Sequence, residues 1–411
     1  MDINPITCTV IGLGKLGLPL AGLLSDRGLR VKGYDFDVTR MKNIKKLNLE
    51  PEPGLKDLIS DNFNRNLTLH GNLKSALLES SATFIVVPTP SKEDGKFDNK
   101  YVTEAIKGIL SNLELEDSKH VICVVSTVMP GTCTNEFLPL INKIYNGRVG
   151  LVYSPEFIAI GSIIKNMEYP DQILIGEDIS FSGEMIESIL TRIVKAKVPV
   201  LRMSLSSSEL VKIATNSYVT MKISFANFLA EIADKIDSVD SNIVARSLGL
   251  DSRIGTKYLK PGLGFGGPCF PRDNRAFSSL ADSFGLSADL ARATDKINIR
   301  QIEKVFHRII QNFSGPNVRI AFLGVAYKSG THIVEESQAL ELANTFARNG
   351  YQISVHDKLA LKERPAELEA EIQILESLSS LETFDAIIVA LDCEVYKEIE
   401  DLYPEKVVYR I

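Results

Sequence analysis

The chain has 411 residues, 45% of them hydrophobic, and a formal net charge of −6; this is enough for two or three domains with ordinary cores. No dense Lys/Arg stripe marks a nucleic-acid surface, and no apolar run is long enough to span a membrane. The five cysteines, Cys8, Cys123, Cys133, Cys269 and Cys393, lack the spacing of a zinc site or a disulfide framework, and the first strand begins too early for a cleavable leader, so the expectation is a soluble cytoplasmic protein without a bound metal.

In chain order, short β-branched runs alternate with amphipathic stretches: "TCTVIGLG", "RVKGYDF", "ATFIVVPTP", "HVICVVST", "VGLVYSPE" and "DQILIG". This alternation predicts a parallel sheet covered by helices over residues 1–200. "PSKEDGKFDNK" reads as a solvated loop. From Ser204 to about Ile236 there is neither Gly nor Pro, which predicts one helix of ~45–50 Å at 1.5 Å per residue, capped by Ser204 or Ser206. A mostly helical stretch completes a central part over 201–312. The turn "SGPN" then opens a second α/β series over 313–411: "VRIAFLGVAY", "YQISVHD", "FDAIIVALD" and "KVVYRI". The fold class expected is α/β, with two Rossmann-like doubly wound domains joined by a long central helix and a helical domain.

The first chemical motif is "VIGLGKLGLPLAGLLSDRGLRVKGYDFD". Gly12 permits a tight turn, Gly14 lets the backbone approach a pyrophosphate, and Gly17 allows close helix–strand packing, with the helix N-terminus facing the anion. Asp35 follows at the end of the next strand, where a carboxylate can bind both adenosine ribose hydroxyls and repel a 2′-phosphate. The pair of signals predicts NAD rather than NADP. A glycine turn chosen only for packing would leave Asp35 unexplained.

The segments "STVMPGT", "SPEFIAIGS", "ELVKIATNSYVTMKISFANFLAE", "DSRIGTKYLKPGLGFGGPCFPRD" and "GVAYKSGTHIVEES" occur in one order. Together they resemble the UDP-glucose/GDP-mannose dehydrogenase family along almost the whole chain. The resemblance implies a four-electron oxidation of a nucleotide-sugar primary alcohol to a carboxylate with two NAD⁺, through an aldehyde and a cysteine thioester. It makes Cys269 the nucleophile, because an aldehyde donates hydride poorly until a thiolate renders it tetrahedral. Lys212 and Asn216, i and i+4 on the long helix, are then the oxyanion donors. Asp273 positions or deprotonates a water, which Thr127 and Glu156 help to hold.

The same resemblance completes the cofactor-binding set with Lys15, Leu16, Arg40, Pro88, Thr89, Thr127, Cys269, Arg272 and Glu335. It assigns substrate contacts to Glu156, Phe157, Ile158, Lys212, Asn216, Tyr258, Lys260, Phe265, Gly266, Lys328 and Arg410, and gives Arg253 to the neighbouring subunit's substrate. That last role implies a homodimer built around the long helix. UDP-glucose is the leading substrate, with GDP-mannose or a UDP-N-acetylhexosamine as alternatives. A two-electron oxidoreductase would not need Cys269, and a non-catalytic nucleotide-sugar or NAD-binding protein would need none of Cys269, Lys212 or Asp273.

Three positions depart from the family pattern. Ile160 replaces a second glutamate after "SPEF", Glu335 replaces the arginine of an "RES" segment, and Arg272 replaces a lysine three residues after the cysteine. The first two suggest charges rearranged together near the cofactor. At the third, charge is kept, but a planar fork cannot place a point charge in the same way.

Overall fold

The structure, a computed structural model, describes residues 6–115, 118–313 and 315–411. Ser314 of the expected "SGPN" turn lies outside them. The chain divides into two compact units, one up to Ile213 and one from Ala214 to Ile411; the division falls within the long helix Leu205–Ala233.

The amino-terminal unit is built on an eight-stranded sheet: β1 (Thr7–Ile11), β2 (Arg30–Tyr34), β3 (Leu67–Leu69), β4 (Ala82–Ile85), β5 (His120–Val124), β6 (Val149–Tyr153), β7 (Ile173–Glu177) and β8 (Val200–Ser204), in the order β3-β2-β1-β4-β5-β6-β7-β8. Successive strand residues point to opposite faces, and both faces are buried. Val10, Phe84, Cys123 and Val152 join one core with the helix Gly17–Asp26. Ile11, Ile85, Val124 and Tyr153 join another with the helix Lys100–Asn112. A doubly wound sheet follows from this two-sided burial.

The sheet is not wholly parallel, as the sequence pattern had suggested. β7 runs antiparallel to β6, and β8 is parallel to β7. The chain between β6 and β7 carries only the helix Ile163–Glu168. Its six residues span about 9 Å, so this connection lacks the long covering helix usual in a parallel crossover.

The carboxy-terminal unit holds a second sheet: β9 (Arg319–Leu323), β10 (Gln352–His356), β11 (Gln373–Ile374), β12 (Ala386–Val389) and β13 (Val407–Arg410), all parallel in the order β11-β10-β9-β12-β13. Ile320, Phe322 and Ile388 face one core, and Ala321, Leu323 and Ile387 the other. The remainder of this unit is helical, chiefly Ser241–Gly249, Phe270–Ser283 and Asp289–Ile310.

The long helix starts where expected. Ser204 is its cap, its Oγ accepting from Ser207 N at 3.3 Å, while the Ser206 hydroxyl faces Thr134. Among the described residues no helix is long and apolar enough to cross a membrane.

Candidate active site

The expected site residues fall into two clusters, one in each unit. In the amino-terminal unit they gather at the carboxyl ends of β1, β2, β4, β5 and β6, where open α/β sheets bind ligands. Gly12 has φ +88, and a Cβ there would meet Val86 O at 2.2 Å. A Cβ on Gly17 would meet Gly12 O at 1.8 Å, whereas at Gly14 it would meet nothing within 4 Å. Two glycines are thus required by packing, and the third leaves the open approach that a pyrophosphate needs, ahead of the helix Gly17–Asp26. The cradle fits a dinucleotide.

Asp35 has a fully buried side chain. Its Oδ2 accepts from Leu13 N at 2.7 Å and from Arg40 Nη1 at 2.9 Å, and its Oδ1 accepts from Asp37 N at 2.8 Å. A carboxylate offers about four acceptor positions, so about one remains for a ribose hydroxyl rather than the two expected. Lys15 is exposed and Leu16 packs on the core beside the turn. Pro88 and Thr89 follow β4 and Thr127 follows β5. Ser126, which the sequence reading did not single out, stitches these two loops together: its Oγ accepts from Val87 N at 2.9 Å and donates to Val87 O at 2.7 Å.

The first turns of the long helix are fastened to the same strand ends. Ser208 Oγ donates to Tyr153 O at 3.3 Å. Lys212 Nζ donates to Glu156 O at 2.7 Å and lies 4.8 Å from the Phe157 ring centroid. Glu209, fully buried, accepts from Gly131 N at 2.6 Å and Cys133 N at 2.7 Å, which ties the "STVMPGT" loop to the helix. It stands three residues before Lys212 in a motif already quoted, yet its role depends on partners more than 70 residues away. Burial pushes the Glu156 carboxyl up to about 7, the nearby Lys212 ammonium pulling the other way. Phe157, Ile158 and Ile160 are half-buried beside it.

The second cluster is centred on Cys269, which caps the helix Phe270–Ser283. Asn216 Nδ2 donates to Asp273 Oδ2 at 2.6 Å, and Arg272 donates to Asp273 Oδ1 from Nε at 3.0 Å and Nη2 at 2.9 Å. Asp273 is fully buried while Cys269 is exposed. Burial pushes Cys8 up to about 12 and drives Cys123 and Cys133 well up, so those thiols stay protonated.

Ahead of Cys269, side chains that the sequence reading did not single out clamp the glycine-rich loop. Asn298 Oδ1 accepts from Phe265 N at 2.7 Å and its Nδ2 donates to Phe265 O at 2.9 Å. Asn227 accepts from Gly262 N at 2.9 Å, and Gln301 donates to Gly262 O at 2.6 Å. A Cβ on Gly264 would strike Asn298 Oδ1 at 2.0 Å, and one on Gly267 would strike the Tyr327 ring at 2.4 Å. The loop is therefore glycine-rich because polar and aromatic side chains press on its backbone.

The remaining expected contacts are less gathered. Tyr258, at φ +62, packs edge-on against Phe270, and Lys260 is exposed. Gly266 is buried, and Lys328 Nζ lies 5.9 Å from the Tyr327 ring centroid. Arg253 is exposed and paired with Asp251 at 2.6 Å. Arg410 is held by Glu400 and by Tyr396 O. Glu335 follows β9, and its carbonyl accepts from Gly267 N at 3.1 Å.

The chain matches known proteins along almost its whole length. Residues 6–194, 206–300 and 321–410 match, in turn, the NAD binding, central and UDP binding domains of the UDP-glucose/GDP-mannose dehydrogenase family. The chain is 31% identical to the UDP-glucose 6-dehydrogenase AglM of Haloferax volcanii, over 96% of this chain and 93% of that one. It is also 31% identical to the GDP-mannose 6-dehydrogenase of Azotobacter vinelandii, over 85% and 80%. The solved structure of a UDP-glucose dehydrogenase from Pyrobaculum islandicum superposes with a TM-score of 0.89 at 29% identity, covering 100% of this chain and 94% of that one. The nucleotide cradle and these likenesses along the chain lead to one conclusion: the protein belongs to the UDP-glucose/GDP-mannose dehydrogenase family and is an NAD-dependent nucleotide-sugar dehydrogenase.

Proposed function

We propose that the protein oxidises C6 of UDP-glucose to the carboxylate of UDP-glucuronate, through a thioester on Cys269. The observation that carries this reading is the group formed by Cys269 at its helix cap, the buried Asp273, and Asn216 hydrogen-bonded to Asp273 at 2.6 Å. A two-electron alcohol oxidation needs no such thiol. Gly12, Gly14, Gly17, Asp35 and Arg40 hold the dinucleotide, and bound NAD⁺ supplies the hydride acceptor.

In the first oxidation, a proton leaves the C6 hydroxyl as hydride leaves C6. Asp273, through a water, takes the proton, while Lys212 and Asn216 stabilise the alkoxide. The Cys269 thiolate then adds to the aldehyde carbon, forming a C–S bond and an oxyanion on the same donors. Departure of a second hydride, to a second NAD⁺ that replaces the first NADH, leaves the thioester. Water, held by Thr127 and Glu156 and deprotonated with the help of Asp273, attacks it, and the C–S bond breaks to return the thiolate. We assign residues 1–200, 201–312 and 313–411 to cofactor binding, dimerisation and UDP-sugar binding, and propose that the protein acts as a homodimer.

The test is a panel of UDP-glucose, GDP-mannose and UDP-N-acetylhexosamines with purified protein, following NADH and product together. Two NADH per UDP-glucuronate support the proposal. One NADH with free aldehyde overturns the thioester route, and turnover of GDP-mannose alone overturns the choice of sugar.

A further inference from the structure

We propose that Arg272 and Glu335, two of the positions that depart from the family pattern, act as opposing charges on the ionisation of Cys269, Arg272 favouring the thiolate and Glu335 opposing it. The inference rests on the reading of Cys269 as the nucleophile and gives these two residues a role toward the thiol in place of one toward the cofactor.

The geometry begins in the first turn of the helix Phe270–Ser283. Asp273 N donates to Cys269 O at 2.8 Å, so the turn is formed, and residues 269, 272 and 273 lie on one face. Arg272 engages Asp273 Oδ1 with Nε and Nη2. A planar guanidinium can grip Asp273 along one edge and present charge from the rest of the fork, which a lysine ammonium at that position cannot do.

Glu335 is brought to the same place by the loop after β9. Its carbonyl accepts from Gly267 N, two residues before Cys269, and a Cβ on Gly266 would meet Glu336 O at 2.2 Å. Among the described residues of this unit, Arg272 interacts with Asp273, Cys269 and Glu335, Tyr327 interacts with Cys269 and Tyr258, Lys328 lies over the Tyr327 ring, and Arg275 pairs with Glu336 on the adjoining turn. Burial works against the charge on Arg272, but Asp273, Cys269 and Glu335 outweigh it and hold the guanidinium ionised. Tyr327, pushed up to about 12 by burial and then by Cys269 and Tyr258, stays neutral. An arginine at 335 would place two cations around the thiol; this chain has one cation and one opposing carboxylate.

The test is the pH dependence of iodoacetamide alkylation of Cys269 in the full-length protein without substrate or NAD⁺, read by peptide mass spectrometry. Cys393 serves as the internal reference, since Cys8, Cys123 and Cys133 are buried. Arg272→Gln should raise the alkylation midpoint by about one pH unit or more, the scale of losing a neighbouring opposite charge. Glu335→Gln should move it down. Glu335 is exposed, so this variant decides the matter even if Arg272→Gln fails to fold. A Glu335→Gln midpoint that is unchanged or raised overturns the proposal, as does an effect confined to the NAD⁺ dissociation constant. Absence of turnover in the wild type would overturn the proposed function while leaving the alkylation result to judge this inference separately.

Discussion

Burial brings the ionisation of Glu156 close to neutrality. Burial raises it from 4.5 to about 7, and Lys212, bonded to its backbone carbonyl, moderates the rise. In the water-holding role proposed for it, Glu156 acts ionised, so kcat/KM should fall on the acid side of about 7, and Glu156→Gln should remove that limb from the pH profile along with most of the activity. Stability runs in the opposite sense. Between 4.5 and about 7 the folded chain keeps a proton that the unfolded chain releases, so this group's contribution is complete below 4.5 and is lost as pH rises through 7. Urea midpoints measured across that window should therefore decline with pH more steeply for the wild type than for Glu156→Gln; parallel curves would reject the shift. Activity and this part of stability favour different pH, as is common where a buried group serves chemistry.

Among the secondary-structure elements, the helix Asp289–Ile310 shapes the glycine-rich loop ahead of Cys269. Asn298 satisfies both the N–H and the C=O of the buried Phe265, and no residue larger than glycine fits at 264 beside it. Asn298→Ala leaves both groups without their partner, at a cost of about 1–3 kcal/mol for each one left unsatisfied. The expected outcome is a lowered urea midpoint and slower turnover, with Asn298→Asp, which keeps the acceptor and loses the donor, falling between. Equal stability of Asn298→Ala and wild type would show the clamp to be incidental. The glycines of this loop were visible in the sequence, but the side chains that require them were not. Asn227, Asn298 and Gln301 lie 33 to 39 residues from the backbone groups they bind, and no local pattern announces such a pairing.

Across the whole molecule, the long helix leaves Tyr218, Phe225, Phe228 and Ile232 exposed, at 59%, 48%, 41% and 44%. Their spacing of seven, three and four places them on one helical stripe, which favours a covered face in the proposed dimer. Analytical ultracentrifugation should find the wild type at twice the chain mass and Phe225→Asp shifted toward the monomer. A wild-type monomer at assay concentration would reject the dimer.

The sequence by itself determined the α/β class, the long helix and the nucleotide cradle, because each rests on local physics: two-residue alternation on buried strands, a run free of Gly and Pro, and glycines followed by Asp35 at the next strand end. It also offered Cys269 and Asp273, through the resemblance of the segment around them to the family pattern. It missed β3, β8 and β11, which all lie at sheet edges, β3 and β11 being only three and two residues long; their partly exposed residues carry little alternation to read. Only the tertiary structure decided that β7 and β8 run against the other strands. Only it spent most of the Asp35 carboxylate on Leu13, Asp37 and Arg40, and placed Arg272 on Asp273 with Glu335 beside the loop. These outcomes depend on which distant groups meet in the folded chain, and a carboxylate or guanidinium takes its role from the partners that burial leaves within reach.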